Sequence, residues 1–375
     1  MIKIVKVENK REQKRFVNLP LKMYKGNEYF VPPLYADEMK MFKKNYVYND
    51  QCDSIFFNAY LDGKHVGRIQ GIIQRASNAK WNEKKVRFTR FDSIDNQEVA
   101  NALFEAVEKW ALENQMESVV GPLGYSDLER EGLLIEGFDE LSTFEEQYNY
   151  PYYQKLIEEL GYVKDVDWVE RKLYAPKELD DKFERLCSII LRRNKLSIVE
   201  AKSKKDFINR YGDKLFKVLD VTYNELYGTV PITDNMRKMI ISNFKLILNE
   251  KYYACIVDEE DNVVCFGICI PSIAKAVQKS NGHLTIPALF RVLKAIKKPE
   301  VLDMALIGVL PEYQMKGVSS ILLYEIMKYL LSGEIKYAET NLNLEDNTDI
   351  QNQWKSFDSI LHKRRRSFIK HLNVK

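Results

Sequence analysis

One pattern occurs twice in this chain, and it dictates a duplicated parallel-strand core. Residues 86–124 read VRFTRFDSIDNQEVANALFEAVEKWALENQMESVVGPLG, and residues 302–343 read LDMALIGVLPEYQMKGVSSILLYEIMKYLLSGEIKYAETNLN. Overlay without gaps pairs Val99 with Val318, Leu103 with Leu322 and Trp110 with Tyr329. Each stretch runs from a strand-like segment into a loop. Apolar residues then recur at three- and four-residue spacing, the mark of a helix with one buried face. A second short apolar segment follows, MESVVG or EIKYAET. A strand–helix–strand of this length is a crossover joining two parallel strands.

The flanking segments repeat as well. FFNAYLDGKHVGRIQGIIQ holds Asp62-Gly63 between two alternating strands, a hairpin signal. YYACIVDEEDNVVCFGICI does the same around an acidic turn. Each half opens with a short strand (IKIVKV, KLSIVEA) and helical segments. Each closes with an amphipathic helix and a strand: PYYQKLIEELGY and WVERKLY, then IQNQWKSFDSILHK and RRSFIKHL. The expected fold is α/β with a mixed sheet and α+β character, built twice. A chain of 375 residues suits two domains, here 1–176 and 177–375, with DKFERLCSIILRR bridging them.

Composition narrows the function. The 57 Lys and Arg against 54 Asp and Glu leave a net charge of +3, which argues against a dedicated nucleic-acid binder. Cys52, Cys187, Cys255, Cys265 and Cys269 form no CxxC pair and read as reduced thiols of a cytoplasmic protein. The start has no leader-like apolar stretch, and no run of about 18 apolar residues spans a membrane. His65, His283, His362 and His371 show no ligand spacing, so no metal is expected. The basic run Lys363-Arg364-Arg365-Arg366 reads as a solvated junction between helix and strand. The amphipathic basic segment 273–298 reads as a helical cover for a sheet edge or a substrate mouth, with contact to a lipid or a long acyl chain as the other reading.

Chemistry concentrates in the second loop, LPEYQMKGVSS. Gln314-x-x-Gly317-x-Ser319 sits between a strand end and a helix start. The first N–H groups of a helix lack intrahelical partners, and its dipole places partial positive charge there. A pyrophosphate accepts such donors. Gly317 lets the backbone approach closely. Lys316 adds a charge and Ser319 a hydroxyl. A glycine that only relieves a tight turn is the bland alternative.

This loop, in this order of elements, resembles the [QR]-x-x-G-x-[GA] motif of the GNAT superfamily of acyl-CoA N-acyltransferases, with Ser319 where Gly or Ala is usual. The resemblance covers nearly the whole chain as a tandem repeat. It implies a splayed pair of parallel strands that receives the acyl-pantetheine arm. The backbone of Val309 and Leu310 would pair with the pantetheine amides, and a backbone N–H there would polarise the thioester carbonyl. The loop Gln314, Met315, Lys316, Gly317, Val318 and Ser319 would hold the pyrophosphate, and Asn347 would touch the same donor. The implied donor is acetyl-CoA or another acyl-CoA. The implied acceptor is a small-molecule or peptide amine.

The first copy departs from the motif. Gln314 overlays Asp95, and Gly317 overlays Glu98. Acids cap a helix start well but repel a pyrophosphate. The first copy is therefore expected to be degenerate as a donor site. Its long segment 121–153 holds Asp127, Glu129, Glu131, Asp139 and several tyrosines. It reads equally as an acceptor-binding or gating loop and as packing between domains.

The resemblance also implies a tyrosine acid on the last helix, where this chain offers Trp354 and Phe357 instead. Glu339 is the candidate base, ahead of Glu345 and Asp303, and Asn343 is a candidate to orient water. Other readings stay open: a long-chain N-acyltransferase, an aminoacyl-tRNA-dependent transferase, or a non-catalytic acyl-CoA-binding module. A monomer or a homodimer fits equally.

Overall fold

The computed structural model describes residues 1–176 and 181–373. The first copy runs β1 (Ile2–Lys6), α1 (Lys10–Met23), α2 (Tyr35–Glu38), β2 (Cys52–Leu61), β3 (Lys64–Gln74), α3 (Arg75–Trp81), β4 (Lys85–Ser93), α4 (Gln97–Glu113), β5 (Ser118–Gly121), β6 (Leu133–Glu136), α5 (Tyr152–Glu159) and β7 (Val163–Tyr174). The second runs α6 (Asp181–Arg193), β8 (Ser197–Ile198), α7 (Lys204–Thr222), α8 (Asp234–Ile247), β9 (Tyr253–Val257), β10 (Val263–Pro271), α9 (Ala274–Gln278), α10 (Ile286–Lys297), β11 (Val301–Val309), α11 (Pro311–Gln314), α12 (Ser319–Leu331), β12 (Tyr337–Thr340), β13 (Asn343–Leu344), α13 (Thr348–Gln353) and β14 (Asp358–His371).

Two compact units result. One comprises residues 1–169, 274–289 and 362–375, and the other 170–273 and 290–361. A cut at 176/177 falls beside residues 177–180, which lie outside the described residues. It lies close to the junction at 169/170 but differs in two further places, because segments 274–289 and 362–375 pack with the first unit. Helical and strand periods report which face of an element is buried. They do not report which sheet a terminal strand joins.

In the first unit the sheet order is β1-β2-β3-β4-β5-β14. All neighbours are antiparallel except β4 and β5. Asp62 and Gly63, with φ of 49° and 80°, make the tight turn between β2 and β3 that the dipeptide predicts. Helix α4 packs on this sheet through Val99, Leu103, Phe104 and Val107, each fully buried. It lies so close to β3 that a Cβ on Gly67 would meet Leu103 Cδ1 at 2.8 Å.

In the second unit the order is β8-β9-β10-β11-β12-β7, and only β11 and β12 are parallel. Helix α12 buries Val318, Ile321 and Leu322, the last over Gly267, where a Cβ would have 3.5 Å to Leu322 Cδ1. The overlaid pairs Val99/Val318 and Leu103/Leu322 thus do the same packing work in both units.

Two expectations are corrected. The amphipathic helix expected over 350–363 is only α13 and a short 3-10 turn at Trp354–Ser356, and β14 already begins at Asp358. The basic run is not a solvated junction but part of β14. Lys363 and Arg365 are fully buried, Arg366 donates to Asp167 at 2.7 and 2.9 Å, and Arg364 Nε lies 3.2 Å from Glu136. Strand alternation turns Lys363 and Arg365 to the buried face and Arg364 and Arg366 to the other, where Glu136 and Asp167 of the first unit meet them.

Candidate functional site

Strands β11 and β12 pair only from Val301↔Tyr337 to Met304↔Thr340. Beyond that point β11 continues to Val309 paired with β10 alone, after a register shift opposite Ile268/Cys269. The two parallel strands therefore fork, and residues 305–309 of β11 present an open backbone edge.

Three side chains cover that edge. Asn341 Nδ2 donates to Ala305 O at 3.0 Å. The Tyr223 hydroxyl donates to Ile307 O at 3.0 Å and lies 3.4 Å from Ile307 N–H. Gln314 Nε2 donates to Val309 O at 3.2 Å. The Leu310 N–H is committed the other way, to Val264 O at 3.0 Å, so it faces β10 rather than the fork. Flexible side chains here satisfy backbone groups that would otherwise need water or a ligand. A ligand bearing amides can replace them.

The fork leads into the Gln314–Ser319 loop. Gly317 holds φ +72°, a conformation costly for any residue with a Cβ. Met315 is 97% exposed, and Lys316 Nζ lies 4.4 Å from the Tyr313 ring centroid. Helix α12 starts at Ser319 with Val318 as N-cap, no side-chain cap and no acid in its first turn. The N–H groups of Ser320 and Ile321 turn back on Gly317 O and Val318 O at 3.0 and 3.1 Å, and those of Val318 and Ser319, with the dipole, are left for an anion.

The first unit handles the matching place differently. There the N-cap Asn96 accepts from the Val99 N–H at 2.9 Å, with Glu98 in the first turn. Strands β4 and β5 also part, after Arg87↔Val120. The chain itself then fills the gap, since the Leu123 N–H donates to Phe88 O at 2.9 Å. Buried ion pairs occupy the end of β4. Arg68 meets Asp92 at 2.7 Å, and Arg90 grips both oxygens of Glu38. Burial pushes the Glu38 carboxyl up, but the charge and hydrogen bonds of Arg90, joined by the charges of Arg68 and Arg130, together outweigh it and hold it at about 2. The long segment 121–153 is built into this unit, with Tyr125, Glu131, Ser142 and Asn149 buried and Asp139 exposed.

The remaining predicted residues fall around the fork of the second unit. Glu339 lies on β12 one residue before the strands part. It is 4% exposed, with a carboxylate oxygen within 4.8 Å of one on the buried Glu170. Asn343 Oδ1 accepts from the Trp354 indole at 2.9 Å and fastens the last helical turn. Asn347 caps α13, accepting from the Ile350 N–H at 3.2 Å. The side chains of Asn343 and Asn347 thus have structural work in this state. Tyr223 was missed from sequence, because it follows α7 more than 80 residues before the loop and no motif marks it.

Two cavities belong to the second unit. One of about 230 Å³ is lined by the side chains of Arg171, Glu345, Thr348, Gln351 and Lys355, with Trp354 at its wall. The other, of about 50 Å³, is entirely apolar. It lies between α7, α8 and the sheet, with Leu215, Leu219, Ile240, Phe266 and Leu306 among its walls. Leu306 places it directly behind the open edge of β11.

No family model matches the chain. Protein YghO of Escherichia coli is 25% identical over 383 residues, covering 97% of this chain and 94% of that protein. A bacterial ceramide synthase of Caulobacter vibrioides is 24% identical over 341 residues, covering 87% and 85%. Among solved structures, a tandem GNAT protein from the clavulanic acid biosynthesis pathway superposes with a TM-score of 0.56 at 10% identity, over 99% of this chain and 98% of that one. The GCN5-related glucosamine N-acetyltransferase region of a fungal multi-domain enzyme gives 0.57 at 10% identity, over 99% of this chain and 38% of that one. The fold of this chain is that of two tandem GNAT-like domains.

Proposed function

We propose that the second unit is an N-acyltransferase that moves an acyl group from an acyl-CoA to an amine. The observation that carries this reading is the open edge of β11 leading straight into an uncapped helix start. In the proposed complex the pantetheine amides replace the Asn341 and Gln314 side chains along Ala305–Val309, and Tyr223 stays at the edge beside Ile307. The pyrophosphate takes the N–H groups of Val318 and Ser319, with Lys316 nearby. The first unit, capped and filled by its own chain, serves as scaffold.

The amine nitrogen attacks the thioester carbonyl, a C–N bond forms and the C–S bond breaks. The amine proton passes to Glu339, directly or through water. The Tyr223 hydroxyl, already at the open edge, gives a proton to the departing thiolate in place of the absent tyrosine of the last helix. Each positioned proton-transfer group contributes about 10²–10⁴-fold. The Val309 N–H polarises the carbonyl. The acceptor is a small-molecule or peptide amine, and acetyl-CoA is the simplest donor. Five free, buried cysteines suit a cytoplasmic setting.

The apolar lining of the cavity behind Leu306, which at about 50 Å³ must widen to take more than the start of a chain, favours a second reading, in which the acyl chain is long. The similarity to a protein named bacterial ceramide synthase points the same way. The test is thiol release from acetyl-CoA and from a long-chain acyl-CoA in the presence of an amine panel. Amine-dependent release that falls about a hundredfold or more in Tyr223→Phe and Glu339→Gln, with donor affinity kept, supports the assignment. Donor binding without thiol release for any amine would make the unit a binding module. No donor binding at all would turn attention to aminoacyl-tRNA.

A further inference from the structure

Helix α10 turns an apolar stripe to solvent. Ile286, Leu289, Phe290 and Leu293 are 75%, 48%, 69% and 51% exposed, while Ala288 and Val292 are buried. Their i, i+3, i+4, i+7 spacing gathers the four on one face, within an arc of about 100°. Leu284, 51% exposed, lies just ahead of them. A helix that only covers a sheet edge would carry polar residues on this face.

Charge along the segment that carries the stripe has one sign. The exposed acids Glu28 and Asp37, from another element, belong to the segment packed against residues 278–283, ahead of the stripe. Between Asp261 and Glu300 the chain contains no acid, yet it holds Lys275, Lys279, Arg291, Lys294, Lys297 and Lys298. The whole chain is nearly balanced, at 57 cations to 54 acids, so this stretch is a local departure. Lys294 and Lys297 are exposed on α10 itself. Large apolar side chains on one face, bordered by cations, are what a helix lying in the plane of a lipid headgroup layer requires. The apolar residues enter the acyl boundary and the cations meet anionic headgroups.

We propose that α10 docks this protein on an anionic lipid surface. The charge selects this occupant. A second copy docked stripe to stripe would bring the same cations face to face. A nucleic acid would engage the cations but leave the leucines and Phe290 in water. Among the described residues no helix is long and apolar enough to cross a membrane, so the attachment is peripheral. The inference does not depend on the catalytic reading, and its test uses no donor or acceptor.

The experiment is co-sedimentation of the full chain with vesicles of phosphatidylcholine, with and without phosphatidylglycerol, at low and high salt. Binding to the anionic vesicles that weakens with salt is expected. The double variant Phe290→Ser, Leu293→Ser should lose roughly tenfold or more in vesicle affinity. The pair Lys294→Glu, Lys297→Glu should do the same on anionic vesicles. All four side chains are exposed, and an unchanged melting temperature verifies that the variants fold. Failure of the wild type to sediment overturns the proposal, as does undiminished binding by the Phe290/Leu293 variant. A concentration-dependent dimer in size-exclusion chromatography, abolished by that variant, also overturns it and assigns the stripe to a second copy.

Discussion

Replacing Gly317 by Glu tests the donor site most directly, because the first copy already carries Glu98 at the overlaid position. Two costs must be separated. At φ +72° any side chain is strained, by about 1–2 kcal/mol. The added Cβ would lie 3.3 Å from Ile190 Cδ1, a contact the flexible isoleucine tip can relieve. Gly317→Ala carries both of these effects and no charge, so it measures them alone. The glutamate adds a carboxylate beside the helix start where the proposed donor would set its pyrophosphate. Two like charges about 4 Å apart repel by roughly 4 kcal/mol at an effective dielectric of about 20. At about 1.4 kcal/mol per decade that is a loss near 10³-fold in affinity. Calorimetric titration with acetyl-CoA and a long-chain acyl-CoA reads it, with thermal unfolding run on the same samples. The Ala variant should lose some stability and keep most of its affinity, and the Glu variant should lose binding. Equal affinity in wild type and the Glu variant, or equal loss in both variants, would refute the reasoning.

Other perturbations address the first unit. Asn96→Ala removes the cap of α4 and should cost about 1 kcal/mol in urea unfolding, with donor affinity unchanged by calorimetry. Glu38→Gln leaves the buried Arg90 without its main partner and should cost about 3 kcal/mol near neutral pH. Glu38 titrates low in the folded chain, at about 2 against an ordinary 4.5. Its contribution is therefore present above about 4.5 and is lost as pH falls toward 2, so the difference between wild type and variant should shrink in acid. Glu131 behaves in the opposite sense. Burial, aided by Asp127, raises its carboxyl well above the ordinary 4.5. The folded chain then holds a proton that the unfolded chain releases, and stability is lost as pH rises above that value. Glu131→Gln, which stays neutral, should gain on wild type between about pH 5 and pH 8 in chemical denaturation. A constant offset across that range would contradict it.

The sequence by itself determined the parts whose causes are local. The duplicated crossover was legible because Val99 and Leu103, like Val318 and Leu322, recur at the spacing of one helix face, and all four are buried. The hairpin at Asp62-Gly63 and the loop at Gly317 were legible because positive φ needs particular residues. The contrast between the two helix starts was visible as Glu98 against Gly317. Tertiary structure decided the rest. The chain's last strand pairs with β5 of the first unit, Phe368 against Gly121. The end of β7 pairs with β12 of the second, Leu173 against Ala338. An unfilled sheet edge accepts whichever strand reaches it, and no local period encodes that choice. The Lys363–Arg366 run read as solvated because bare charges are costly to bury. Only the fold supplies Asp167 and Glu136 as partners. Tyr223 meets Ile307 across 84 positions of chain. A hydrogen bond at that separation is set by where the fork in the sheet leaves a backbone group open, which no pattern in neighbouring residues records.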